Sequence, residues 1–260
     1  MTPTPKVVIV AAMEREVPLA VKHWRRVERE HDGRRYRFFE GPWAALVCGG
    51  IGAEFARRAT EAGIALYRPA LVISAGFAGG LSRDLKAGDR VVPALVVDAK
   101  DGSRVQTAIP ETALGQQGMA RGVLVSVPYV AGADQKRRLA EAYGAQAADM
   151  EAAAVARGAE ARGVAFMAAK AISDAVDDGL PPLQQFVTLD GRFSTWRFGF
   201  YVAPRIWLWP KVARLALNSR KAAASLSTWL GNEALWTRTT LHPLAKQEAR
   251  DNGEAGVLAR

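Results

Sequence analysis

Six short apolar runs, at 7–12, 44–48, 70–75, 91–97, 123–127 and 164–172, punctuate the chain. Runs of that length bounded by turn residues predict buried strands. Between them, 53–66, 135–143 and 150–162 have the length and composition of helices. The alternation predicts an α/β fold: a single three-layer domain with a central mixed sheet covered on both faces. Farther on, Val212, Leu215, Ala222, Leu226, Trp229 and Leu230 fall near a 3.6-residue period, which predicts a C-terminal amphipathic helix over 211–230. The stretch before it, 196–209, is aromatic and apolar with isolated arginines, and Pro204 and Pro210 argue against one continuous helix through it. The polar end, 246–260, reads as a mobile tail.

With 260 residues, 49% of them hydrophobic, the chain buries a full core without being divided. Composition nevertheless shifts near residue 190. A compact portion over 6–190 gives way to a basic aromatic extension over 191–232 and then a polar tail over 233–260. No acidic residue lies between Asp190 and Glu233, whereas seven cations and four of the seven tryptophans do. The net charge of +9 raises nucleic acid or an anionic membrane as a partner. No nucleic-acid-binding motif accompanies it, so no nucleic acid is expected. Cys48 is the lone cysteine, and His23, His31 and His242 are scattered. No disulfide framework, metal or other cofactor is therefore expected. A secretory signal and a spanning apolar run are both missing, which places the expected location in the cytoplasm.

Two glycine clusters follow predicted strands. Gly49-Gly50-Ile51-Gly52 opens a helix as a dinucleotide-binding turn would, but Phe55 stands where that fingerprint needs its third glycine. The turn suits a tight reversal and close approach of a ligand at Ile51 equally well. In the second cluster, Gly76-Phe77-Ala78-Gly79-Gly80-Leu81, small residues after the run 70–75 let backbone amides at Gly76, Phe77 and Ala78 face a ligand. Carboxylates sit at comparable places: Glu16 after the first strand, Glu151 at a helix start, Asp174 after the run 164–172. Each alone suits a helix cap or dipole. Together they can converge on one cleft suited to acid–base work.

Taken in order, these motifs resemble a known family. Ala12-Met13-Glu14-Arg15-Glu16, Gly50-Ile51-Gly52, Ala78-Gly79-Gly80-Leu81 with Leu85-Lys86-Ala87-Gly88-Asp89, Asp149-Met150-Glu151-Ala152-Ala153-Ala154 and Ala171-Ile172-Ser173-Asp174 are similar to the succession in methylthioadenosine/S-adenosylhomocysteine nucleosidases and their purine nucleoside phosphorylase relatives. The resemblance implies a Rossmann-like fold, a homo-oligomer and cleavage of the N-glycosidic bond of an adenosine-type purine nucleoside. It also implies roles: Asp174 protonates the purine at N7, Ser173 positions it, Glu151 accepts from the ribose hydroxyls, Met150 packs on the sugar and Glu16 orients the attacking water. Protonation helps because a purine anion leaves poorly, and a carboxylate stabilises the developing oxocarbenium charge.

Departures from the family pattern sharpen the expectation. Phe77 stands where relatives often carry a serine that holds phosphate or water, and a phenyl ring donates no such bond. Hydrolysis is therefore favoured over phosphorolysis. Asp149, in place of a more usual Glu or Val, is expected to matter little. The stretch 126–132, where relatives place residues that stack on or bond the base, departs from the family pattern. Asp174-Ala175-Val176-Asp177-Asp178-Gly179-Leu180-Pro181-Pro182 and the basic, arginine-rich helix after it are similar to the C-terminal third of the hopanoid-associated phosphorylases, which act on adenosylhopane. That likeness implies a lipid-linked nucleoside and an anionic membrane surface met through 196–230, with peripheral attachment at the inner face. Packing of the tryptophans on the core or a subunit contact is the competing reading. For activity, the alternatives are a methylthioadenosine-type nucleosidase, a purine nucleoside phosphorylase and a nucleoside-binding protein that has lost catalysis. The presence of Asp174, Glu151 and Glu16 favours an active enzyme.

Overall fold

A computed structural model of the chain describes residues 7–108, 119–178, 183–188 and 190–232. The expected tail at 246–260 lies outside them. One twelve-stranded sheet runs through the molecule. Its strands are β1 (Val7–Ala11), β2 (Arg25–His31), β3 (Arg34–Glu40), β4 (Ala44–Cys48), β5 (Leu71–Gly80), β6 (Arg90–Val91), β7 (Leu95–Asp98), β8 (Arg104–Gln106), β9 (Met119–Ala120), β10 (Val123–Ser126), β11 (Ala145–Asp149) and β12 (Ala165–Asp174). The main path reads β2-β3-β4-β1-β5-β11-β10-β7-β8, with β12 branching from β5 to β6 and β9. Parallel pairs β1–β4, β1–β5 and β5–β12 sit beside antiparallel ones such as β2–β3 and β5–β11, so the sheet is mixed as expected.

Side-chain alternation along a strand assigns the two faces. On β1, Val8 and Val10 join one core with the helices α1 (Ala53–Tyr67) and α3 (Ala152–Glu160). Val7, Ile9 and Ala11 join another with Ala222, Leu226, Trp229 and Leu230 of the long helix α5 (Trp209–Leu230). These are the outer layers of the predicted three. Helix α2 (Ala133–Tyr143) packs Leu139 against Val97 and Val125 in a third cluster. A short helix, α4 (Thr195–Val202), buries none of its residues. The break before α5 falls where the prolines predict it, and Pro210 occupies the first turn, where its missing N–H costs nothing.

Several elements differ from the sequence reading. The run 91–97 is not one strand: Pro93 separates β6 from β7, because proline cannot donate to a ladder. β5 does not end at Ala75 but continues through the glycine cluster to Gly80, held by β12 alongside. The β2–β3 hairpin was missed because its strands are mostly charged. Its turn signal was nonetheless present, since Asp32 and Gly33 both have positive φ, at 51° and 68°. β11, Ala-Gln-Ala-Ala-Asp, is a strand made by its neighbours rather than by propensity.

The tryptophans of the segment 191–232 differ in burial. Trp229 is 2% exposed beneath the sheet, whereas Trp196, Trp207 and Trp209 lie on the surface. Trp229→Ala should therefore cost about 3–5 kcal/mol of stability as a core truncation. Trp207→Ala should change it by no more than about 0.5 kcal/mol, both read from urea melts.

Candidate active site

Strand ends along one edge of the sheet deliver the acidic groups. After β1, a single 3-10 turn over Glu14–Glu16 turns Glu16 inward, where it is buried. Gly76 of β5 makes room for it: a Cβ there, at φ +152°, would stand 2.9 Å from Glu16 Oε2. That oxygen is buried and has no hydrogen-bond partner among the described residues. Burial, reinforced by the Glu151 carboxylate and opposed by Lys170 and Arg15, pushes Glu16 up to about 8. Glu151 occupies the cap position of α3 and accepts from the Gly52 amide at 2.9 Å and its neighbour's amide, that of Met150, at 3.3 Å. Burial and the nearby Asp149 raise its pKa as well.

Beneath these carboxylates lies a buried ion pair. Lys170, in the middle of β12, meets Asp149 Oδ2 at 2.8 Å and donates to Ser74 Oγ at 3.1 Å. Asp149 also accepts from the Ser126 hydroxyl at 2.5 Å and from the Ala152 amide at 2.8 Å, which ties β10, β11, β12 and the start of α3 together. Asp149 is thus built into the framework of the site. Removing one partner from such a pair leaves an uncompensated buried charge.

The end of β12 carries the third acid. Asp174 accepts the Ser173 hydroxyl at 2.6 Å on Oδ1 and pairs with Lys136 Nζ through Oδ2. Lys136 projects from the first turn of α2 and is 1% exposed.

A cavity of about 700 Å³ opens over this edge, within the range of small-molecule sites. Glu16, Ile51, Phe77, Ala78, Met150, Glu151, Ser173 and Asp174 all line it. Gly76 does not; it lies beneath Glu16, and its role is to leave space. Val127, Tyr129 and Val130 contribute wall from the stretch 126–132. Much of the remaining wall is apolar, including Leu183, Val187, Phe193, Phe198, Val212 and Leu215, with Arg15, Thr195, Ser219 and Arg220 among its polar members. Sequence reasoning missed both buried lysines. Lys170 was legible as a charge inside the apolar run 164–172, which demands a partner. Lys136 was not, standing beside Arg137 and Arg138 in an ordinary charged stretch. No cluster that could hold a metal occurs among the described residues.

A mixed sheet with an acid-lined cavity at its strand ends defines an enzyme of the nucleoside phosphorylase fold. The chain belongs to the phosphorylase superfamily, whose family model matches residues 6–190. It is 30% identical over 201 residues to the 5'-methylthioadenosine/S-adenosylhomocysteine nucleosidase of Actinobacillus succinogenes, covering 66% of this chain and 86% of that one. Its structure is similar to that of a nucleosidase of the same description from Colwellia psychrerythraea in complex with adenine, with a TM-score of 0.67, 19% identity, and 92% and 99% of the two chains covered. Futalosine hydrolase of Helicobacter pylori matches with a TM-score of 0.63, 21% identity, and 88% and 98% covered.

The raised Glu16 carboxyl has a stability consequence with a definite sign. Between the ordinary value of 4.5 and about 8, the folded state holds a proton that the unfolded state releases, so stability falls as pH rises through that window. Glu16→Gln, which never ionises, should gain stability over the parent progressively across the window and level off above it. Urea melts at the two ends of the window check this; an advantage independent of pH would contradict it.

Proposed function

We propose that this enzyme hydrolyses the N-glycosidic bond of an adenosine-type nucleoside carrying a large apolar 5′ substituent. The convergence of Glu16, Glu151 and Asp174 on a cavity whose remaining wall is largely apolar carries the reading. Glu16 in its ionised form takes a proton from water as that water attacks C1′. The C1′–N9 electrons pass to the purine, which gains a proton at N7 from Asp174, held by Ser173. Glu151 accepts from the ribose hydroxyls with the lone pairs its amide donors leave free. Phe77, which offers phosphate no hydrogen bond, favours water as nucleophile. Adenosylhopane is the substrate to test first and methylthioadenosine the second.

The same reading includes a peripheral encounter with an anionic bilayer at the cytoplasmic face. Exposed Trp196, Phe200, Ile206, Trp207, Trp209 and Leu217 gather on the segment that lacks acidic residues. Arg197, Arg205, Lys211 and Arg214 are interspersed among them. Burial of apolar side chains and attraction of about 1 kcal/mol per cation near the surface act together there. Phe198, Val212 and Leu215, from these same elements, line the cavity, so a lipid-linked nucleoside has a short path inward. No helix among the described residues is long and apolar enough to cross a membrane.

Incubated with adenosylhopane or methylthioadenosine in phosphate-free buffer, the enzyme should release adenine and an unphosphorylated sugar. Strict dependence on phosphate would make it a phosphorylase, and no release from any nucleoside would leave a binding protein. In a separate test, the protein should sediment with anionic vesicles at low salt and be freed at high salt. Replacing Trp207 and Trp209 by Ala should weaken that binding while sparing cleavage of methylthioadenosine; indifference to vesicles at low salt refutes the membrane contact.

A further inference from the structure

Nothing in the roles assigned above explains why a lysine is buried against the acid. Lys136 Nζ pairs with Asp174 Oδ2, donates to the Ala175 carbonyl at 2.6 Å and lies 3.4 Å from the Asp174 carbonyl. With Ser173 on Oδ1, both carboxylate oxygens of Asp174 already accept. Gly79 of β5 lets the pair form: a Cβ there would stand 3.2 Å from both Asp174 Oδ2 and Lys136 Cε. Lys136 also reaches the cavity wall. In this arrangement both Asp174 oxygens act as acceptors, and the proton held closest to Oδ2 is on the Lys136 ammonium.

We propose that Lys136 is the positioning residue that supplies the proton Asp174 hands to N7 of the leaving purine. It rests on the nucleosidase reading and goes beyond it. As the C1′–N9 bond lengthens and its electrons move onto the purine, a proton passes from Nζ to the Asp174 carboxylate and that same proton goes on to N7, so that Asp174 ends the step as the carboxylate it began. Lysine is left as the neutral amine. The proton that Glu16 took from water then returns through solvent to Nζ, and the cycle closes with one water consumed. The arrangement answers a conflict between the two ends of the reaction. Glu16 is an effective base only once ionised, near or above about 8, where an isolated aspartic acid would long have lost its proton. A lysine-backed pair keeps one. Of the other charged residues on its helix, Asp134, Arg137, Arg138 and Glu141, the first two pair with each other at the surface.

The test compares two leaving groups, a purine that needs protonation and the nitrophenolate of 4-nitrophenyl riboside, which leaves without it. Lys136→Gln still donates hydrogen bonds but cannot ionise. Near the top of the pH profile it should lower the ratio of purine to nitrophenyl turnover by at least about tenfold, the low side of general acid effects. Lys136→Arg keeps the charge yet does not surrender a proton, so it should show the same loss. Equal slowing of both substrates by the Gln variant, or restored purine turnover in the Arg variant, makes Lys136 a static counter-ion and overturns the proposal. Asp174→Asn separates the two levels of argument. If it spares purine cleavage, the acid assignment itself has failed; if it lowers the ratio while Lys136→Gln does not, only the lysine's role has.

Discussion

The ion pair between Lys170 and Asp149 is the interaction on which the rest of the site depends. Its two charges are buried between the sheet and the start of α3, so each would be prohibitive without the other. By meeting, they fix the ends of β11 and β12, set the turn that aims Glu151, and place one positive charge among three carboxylates. Burial and the mutual repulsion of the carboxylates raise the pKa of Glu16 and of Glu151 above the ordinary carboxylate range, and Lys170, joined at Glu16 by Arg15, only partly offsets them. A structural pair for Asp149 thus becomes a chemical setting for its neighbours.

Helix α5 solves a different problem with the same economy. Its C-terminal half buries Ala222, Leu226, Trp229 and Leu230 against the sheet, and its N-terminal half turns Val212 and Leu215 to the cavity while Trp209 and Leu217 face outward. A helix serving core, cavity and surface cannot be apolar on one stripe alone. That is why its sequence periodicity, though readable, left the tryptophans ambiguous. Position along the helix, rather than residue type, decides whether a tryptophan is core or surface.

Much of the fold was legible because buried parallel strands need continuous apolar runs, and β1, β4, β5 and β12 have them. Elements that draw their stability from neighbours were not. The charged β2–β3 hairpin and the alanine-rich β11 carry weak local signals. In the site, motif order pointed to the groups that line the cavity, because acids and glycines there follow strand ends directly. Partnership was harder. Lys136 and Asp174 are 38 positions apart, and no local pattern records that Gly79, on a third element, leaves them room to meet. Gly76 shows the same limit: a glycine that seemed to face the ligand instead makes space for Glu16.

The presence of both an acidic cluster and a largely apolar wall in one cavity has a kinetic meaning under the proposed function. Apolar surface contributes roughly 25 cal/mol for each Å² removed from water, and it does so in the ground state as much as in the transition state. Such uniform binding lowers KM without raising kcat. Only groups that meet new charge as the glycosidic bond breaks can accelerate the chemistry, and those are the carboxylates and the lysine behind Asp174. The wall of Leu183, Phe193, Phe198 and Leu215 is thus free to vary with the substituent on the ribose, while Glu16, Glu151 and Asp174 are bound to the reaction itself. On this account, a relative with the same acids and a polar wall would run the same cleavage on a smaller, more soluble nucleoside.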